Sequence, residues 1–361
     1  MKIAILADRL VMGGLETHIL ATVNQLLKQS HQILLNTAYI NPDLLARINT
    51  EMEQFHYKPW SDSTLDDLAW FKPDIIHAHP FTAIFRGFEV ARALRLPLII
   101  TMHGLYDFGI DRSYLGNRVS DYAYAIIAVD PRVAQVVTSS TAHPEKVRVI
   151  YNGVDLSEFH PYPKKTMDSC VARILNPHRK TLVVVSRLAD GKERPVYQLL
   201  RCLPEISQCL KGLNVLVVGN GNWYEDLCRY ASEHLPANGD VNLHWAGEQS
   251  DVRPYLAAAD LVLACDRAAM EGMACQRPVY AMNAQGFAGI IDFSNFQELI
   301  LYRRGYRELS DAELQSDLIQ LLKDERQLEY YGAQGVEIVR QHFDIIKVTA
   351  ELEALYRSAL A

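Results

Sequence analysis

Cysteine is scarce, and its placement suits neither a disulfide framework nor a zinc module. The 361-residue chain has six, Cys170, Cys202, Cys209, Cys228, Cys265 and Cys275, all in the C-terminal half. None forms a Cys-x-x-Cys pair or joins histidines at zinc spacing, so they read as reduced, buried thiols. Long hydrophobic runs are missing too. LPLII before Thr101 and TLVVV before Ser186 are strand-length, far short of the roughly 20 residues a membrane helix needs. The opening MKIAILADRL is interrupted by Asp8 and Arg9 and reads as a first strand rather than a signal peptide. These absences lead us to expect a soluble, cytoplasmic protein. There is no basic excess either: 36 Lys and Arg stand against 43 Asp and Glu, for a net charge of −7. Without a basic stripe to neutralise phosphates, a nucleic-acid partner is not expected. Low-complexity tracts are absent, and 49% hydrophobic against 22% charged residues is the balance of an ordinary folded protein.

What is present is a repeated β/α alternation. The length exceeds what one core usually organises, so two domains are expected, with a ligand cleft between them. KIAILAD is a β-type run, MGGLETH a glycine-bearing turn, and HILATVNQLLKQ has apolar residues at helical spacing. Strand, loop and helix in that order open a Rossmann-like unit. Further strands are read at HQILLNTAY, DIIHAH, LPLIITMH, AIIAVD and VRVIYNG, which makes a parallel sheet the economical arrangement. Then comes the polar, proline-bearing SEFHPYPKKTMDS, and a second series follows at LVVVS, NVLVVG, NLHWAG, DLVLAC and PVYAM. The expected layout is an N-terminal Rossmann-like domain over 1–160, a linker over 161–178 and a C-terminal Rossmann-like domain over 179–340. A C-terminal helix over 341–361 has an apolar face that packs on the second domain or back on the first.

Several residues sit where such sheets gather ligands. Gly13 and Gly14 lie between the first strand and helix, where a missing side chain lets a phosphate or hydroxyl approach backbone N–H groups, although a glycine pair also serves plain turn chemistry. Arg187 and Lys192 in SRLADGKE follow a strand end. Two cations there would stabilise a departing diphosphate, or form a solvated basic loop. VVGNGNWYEDL repeats the glycine turn at Gly219 and Gly221, and alone is an incomplete dinucleotide fingerprint. Glu271, read near the start of a helix in CDRAAMEGMACQRPV, can accept the two hydroxyl hydrogens of a ribose, or serve as a helix-start charge.

The order and spacing of GGLETH, DIIHAHP, TMHG, VRVIYNGVD, SRLADGKE, VVGNGN and AADLVLACDRAAMEGMACQRPV resemble the retaining glycosyltransferases of family 4. The resemblance covers nearly the whole chain and implies the GT-B architecture, two Rossmann-like domains facing a cleft. By that resemblance Gly13 and Gly14 approach the donor phosphate and the acceptor, with Glu16 and His18 of the same run on the acceptor side. Arg187 and Lys192 match the diphosphate-binding pair, Gly219 and Asn220 join the donor set, and Glu271 matches the second Glu of the family's Glu-x7-Glu motif. His103 in TMHG is similar to the histidine beside the donor sugar; a lone histidine is as often a packed structural residue. The sequence departs where the first Glu would stand, at Leu263, and Gln276 replaces the glycine after MAC. CDRAAMEGMA is similar to a shortened variant of this loop found among related transferases, and from position alone Asp266, Arg267 or local backbone N–H groups are expected to take over contacts to the donor sugar.

The function so implied is sugar transfer from a nucleotide-sugar donor to a glycan or lipid-linked acceptor with retention, in polysaccharide or glycoconjugate biosynthesis. Arg187, Lys192 and His103 carry the chemistry. No metal or other cofactor is expected, because the cation pair supplies the charge and no Asp-x-Asp motif sits in a suitable loop. A lipid-linked acceptor would bring peripheral docking at the inner membrane face. The rival reading, drawn from the lost first Glu, is a non-catalytic GT-B subunit that binds a nucleotide sugar or glycan. A glycoside hydrolase is disfavoured because Glu271 has no partner carboxylate in sequence, and a dehydrogenase because neither glycine turn completes GxGxxG.

Overall fold

The structure, a computed structural model, describes all residues except 12, 49–52, 163–169 and 236–238. The chain divides into two compact units, Met1–Asp155 with Phe343–Ala361, and Leu156–His342. The first unit therefore ends five residues before the expected boundary and regains the chain's last stretch. Part of the expected linker, 163–169, lies outside the described residues, and Cys170–Ile174 within it is helical.

In the first unit the strands are β1 (Lys2–Leu10), β2 (Gln32–Ile40), β3 (Phe55–Pro59), β4 (Ile75–Ala78), β5 (Leu98–Met102), β6 (Ala125–Ala128) and β7 (Val147–Val149). They form one parallel sheet in the order β3-β2-β1-β4-β5-β6-β7. Helices α1 (Gly14–Lys28), α2 (Pro42–Ala46), α3 (Thr64–Phe71), α4 (Thr82–Leu94), α5 (Tyr114–Tyr122) and α6 (Pro131–Ser140) make the connections. Successive strand residues point to opposite faces, and both faces are covered, which is why these strands read as unbroken apolar runs. Ala4, Leu6, Leu34, Ile76 and Ile100 fill one core; Ile3, Ile5, Ile33, Leu35 and Ile75 fill the other.

The second unit holds α7 (Cys170–Ile174), β8 (Lys180–Val185), α8 (Glu193–Leu210), β9 (Leu213–Val218), α9 (Tyr224–His234) and β10 (Val241–Gly247). It continues with α10 (Arg253–Ala258), β11 (Leu261–Ala264), α11 (Asp266–Ala274), β12 (Val279–Asn283), β13 (Gly286–Ile290), α12 (Asp311–Lys323) and α13 (Glu325–His342). Its sheet runs β10-β9-β8-β11-β12-β13. It is parallel except that β13 turns back antiparallel on β12, a departure from the all-parallel expectation. Neither β13 nor the half-buried edge strand β3 was expected from sequence. The last helix, α14 (Ile345–Leu360), belongs to the first unit, where Val348, Leu352 and Tyr356 complete the second core beneath β1 and β4.

Both units are thus Rossmann-like, and each sheet reverses its strand order once, between β1 and β4 and between β8 and β11. Ligands of such sheets gather at the C-terminal strand ends beside that reversal. Among the described residues no helix is long and apolar enough to cross a membrane.

Candidate functional site

In the second unit the loops that follow β8, β9 and β10 are laced together. Ser186 N–H donates to Val218 O (3.1 Å), Leu188 N–H to Asn220 O (3.0 Å), Trp223 N–H to Leu188 O (3.0 Å) and Gly219 N–H to Gly247 O (2.8 Å). Asp190 accepts from Asn222 Nδ2 (2.6 Å) and Trp223 Nε1 (2.7 Å), and those donors lower its pKa. Loops held this close leave no room for side chains. Gly219 has φ +136°, and a Cβ on it would strike the Ser186 carbonyl, as one on Gly221 would strike that of Leu188. The glycines of VVGNGN are therefore demanded by loop packing. Asn220 turns its side-chain oxygen onto Gly221 N–H (2.8 Å).

That lacing fixes the segment carrying Arg187 and Lys192. Arg187 is exposed, with no ion pair from its guanidinium among the described residues. Lys192 stands at the N-cap of α8, and its charge reaches the Cys265 thiol at the head of α11. The structure thus brings Lys192 across the β8/β11 reversal. Burial, reinforced by the neighbouring Asp266 carboxylate, pushes the Cys265 thiol up to about 12 against the opposing pull of Lys192 and Arg303. It is consequently a protonated spacer, not a nucleophile.

The departure at Leu263 has a structural cause. Leu263 is fully buried within β11, paired with Val184 and Tyr280 on its two sides, and only Cys265 separates β11 from α11. Position 263 faces core, so the loop that would carry a first Glu is shortened, not substituted. Asp266 opens α11 at φ +53° and is 2.5 Å from Arg303 Nε. Arg267 Nε is 2.8 Å from Glu271 Oε1, both residues being buried. The side chains of Asp266 and Arg267, expected to reach the donor sugar, are thus already engaged within the protein. Glu271 is also corrected: it lies in the middle of α11 and not at its start, and the Arg267 guanidinium, not the helix dipole, is what it meets. Cys265 makes no side-chain cap at the positive end of α11, where the charge of Lys192 acts on its thiol.

In the first unit the expected residues converge at the β1/β4 reversal. Gly13, at the N-cap of α1, has φ 173° and makes no side-chain cap. Such extended backbone is open to any residue, so turn geometry does not account for this glycine. Gly14 is exposed. Glu16 and His18 follow on α1 and are buried, with the His18 ring 5.7 Å from that of His103. His103 is not a lone histidine: its Nε2 is 2.8 Å from His79 Nδ1, and the His79 ring lies against that of His77, centroids 4.5 Å apart and planes tilted by 34°. Burial lowers His77 and His103 to about 3, and His79 well below its ordinary value with help from its histidine neighbours. All three rings are therefore neutral at pH 7. Asp8, at the end of β1, accepts from the N–H groups of Phe81, Thr82 and Ala83 (2.8, 2.8 and 2.7 Å) and from the Thr82 hydroxyl (2.8 Å). It closes the head of α4 from across the reversal.

His77, His79, Asp8 and Arg303 were not among the residues nominated from sequence. A signal existed for the first two: DIIHAH sets two histidines two apart on an otherwise apolar strand, hence on one face. Nothing local marks Arg303 or the role of Asp8, because their partners are 37 and about 70 residues distant.

Residues 12–158 match the family model described as Glycosyltransferase Family 4, and residues 179–324 match Glycosyl transferases group 1. The chain is 27% identical over 275 residues to a human protein named as one of the subunits of phosphatidylinositol N-acetylglucosaminyltransferase, covering 70% of this chain and 54% of that protein. It is 29% identical over 243 residues to D-inositol 3-phosphate glycosyltransferase 1 of Catenulispora acidiphila, covering 59% and 56%. The chain thus spans about half the length of these relatives. Its fold is shared with Anabaena HepE in complex with UDP and glucose, at TM-score 0.76 and 17% identity over 99% of this chain and 100% of that one. A glycosyltransferase from Rickettsia africae superposes at TM-score 0.77 and 16% identity, over 99% and 98%.

Proposed function

The chain belongs to glycosyltransferase family 4, and on that premise we propose that it transfers a hexose from a nucleotide-sugar donor to a glycan or lipid-linked acceptor, with retention of anomeric configuration, in glycoconjugate or polysaccharide biosynthesis. The observation that carries this reading is that Lys192, at the N-cap of α8, and the head of α11, where Cys265 makes no side-chain cap, follow the two strands of the β8/β11 reversal, near enough for the Lys192 charge to act on the Cys265 thiol. A cation and oriented N–H groups at one point form a preorganised site for a diphosphate. Arg187, exposed on the same connection, adds a second cation as the glycosidic bond breaks.

Glu271 gives one carboxylate oxygen to Arg267, and a carboxylate has further lone pairs with which to accept ribose hydroxyls. Since Asp266 and Arg267 are engaged, backbone N–H groups at the α11 head are the contacts proposed for the donor sugar. The scheme draws its positive charge from Lys192, Arg187 and the helix, and uses no metal ion. His103 and the head of α1, with Gly13, Gly14, Glu16 and His18, are assigned to the sugar and the acceptor. The solved relative holding UDP and glucose makes a UDP-sugar the first donor to try. The shortened β11-to-α11 connection favours one second reading, a protein that binds a nucleotide sugar without turning it over.

The test is incubation with UDP-, GDP- and ADP-sugars, with and without simple glycoside and phosphoinositide acceptors, followed by NMR of the product. A new glycoside with the donor's anomeric configuration is expected. An inverted product contradicts the retaining assignment, and binding without turnover favours the non-catalytic reading.

A further inference from the structure

The buried histidines of the first unit form a ladder that the transfer scheme leaves unused. At its base His77 has both ring nitrogens committed, Nδ1 to the Tyr356 hydroxyl of α14 (2.6 Å) and Nε2 to the Thr101 hydroxyl of β5 (2.7 Å). Tyr356 is itself fully buried. His79 lies tilted against this clamped ring, and its Nδ1 is 2.8 Å from His103 Nε2. The other nitrogen of His103, Nδ1, is buried and has no hydrogen-bond partner among the described residues.

The rings are neutral, so each carries one proton and a single proton occupies the His79–His103 bond. Two arrangements satisfy that bond. If His79 Nδ1–H donates, His103 keeps its proton on Nδ1, where it is a buried N–H with nothing to bond. If His103 Nε2–H donates, Nδ1 is left as a bare lone pair. Orphaned buried N–H groups are the rarer case, and unsatisfied acceptors are better tolerated. The second arrangement is therefore favoured.

We propose that His79 is a positioning residue that accepts the Nε2 proton of His103 and so fixes the tautomer and orientation of that ring beside the bound sugar. Tyr356 and Thr101, acting through His77, hold the ring on which His79 rests. The last helix of the chain thereby reaches the substrate-facing histidine without touching substrate. The proposal rests on the reading that His103 faces a sugar.

The experiment uses the full chain labelled with 15N-histidine, its His103 signals identified by loss in His103→Gln, and compares wild type, His79→Phe and His79→Asn. Long-range proton–nitrogen correlation reads which ring nitrogen is protonated. Wild type is expected to show His103 protonated on Nε2. His79→Phe keeps a ring beside His77 but removes the acceptor, so the Nε2–H form should no longer be exclusive and kcat with UDP-glucose should fall roughly tenfold or more, as when an orienting partner of a catalytic imidazole is lost, with KM nearly unchanged. His79→Asn offers a carbonyl oxygen to the same proton, and should restore both tautomer and rate. A wild-type His103 protonated on Nδ1, or a His79→Phe variant with unchanged tautomer, overturns the proposal, as does equal impairment of the two variants. If wild type turns over no donor while the tautomers behave as stated, the ladder's control of His103 stands and the transfer reading is what fails.

Discussion

At Gln276 the chain closes α11 with a φ of +59°, and the N–H groups of Gln276 and Arg277 bond back to Met273 O and Gly272 O. This is the Schellman arrangement, whose left-handed position favours glycine. The sequence shows a glutamine where the family resemblance expects glycine, and the side chain is exposed, so nothing in the packing rewards it. Gln276→Gly should therefore stabilise the protein by about 1 kcal/mol, read as a higher urea midpoint at unchanged slope. The buried histidines give a second expectation. His77 and His103 titrate near 3 in the folded protein and near about 6.5 when unfolded. Between those values the unfolded chain binds more protons, so stability is complete above about pH 6.5 and is lost as pH falls below it. Each buried ring contributes a slope of about 1.4 kcal/mol per pH unit in that window. His143, exposed between Asp121 and Glu145, is shifted the other way and is screened by solvent. Urea titrations at pH 7, 6 and 5 should show the loss, and His77→Gln should flatten it by about one proton's worth.

Among the elements, strands with unbroken apolar runs were legible because a parallel sheet buries both faces. Edge strands were not: β3 (FHYKP) is only half-buried and ends in proline, and β13 (GFAGI) carries two glycines, so neither shows the pattern that marks a strand. The periodicity of α14 revealed a buried face but not what it covers, because Val348, Leu352 and Tyr356 join a core whose strand residues lie more than 200 residues earlier in the chain. The glycine turn after β9 was legible as a turn, while its cause, the approach of the β8 and β9 loops, needed the fold. Gly219→Ala tests that cause. A Cβ there meets backbone, which cannot swing aside, so the substitution should cost about 3 kcal/mol or more and lower the melting temperature with no ligand present. A loss of nucleotide binding at unchanged stability would instead make Gly219 a ligand contact.

For the molecule as a whole, seven motifs in sequence order carried the family and the two Rossmann-like units, and the residues those motifs named lie in or after the connections that follow the strands. What the motifs could not carry was pairing across the fold: Asp266 with Arg303, and His103 with His79. They named Arg187 and Lys192 as a pair; Arg187 is exposed, and the charge of Lys192 acts on the Cys265 thiol at the α11 head. The central claim is that this point holds a donor diphosphate. It is tested most directly by thermal denaturation of wild type and Lys192→Ala with UDP, GDP or ADP, since a ligand bound only by the folded state raises the melting temperature. One nucleotide series should shift wild type clearly, at saturation by the equivalent of about 3 kcal/mol, and Lys192→Ala should lose most of that shift while melting as wild type does without ligand. An equal shift in Lys192→Ala would contradict the account.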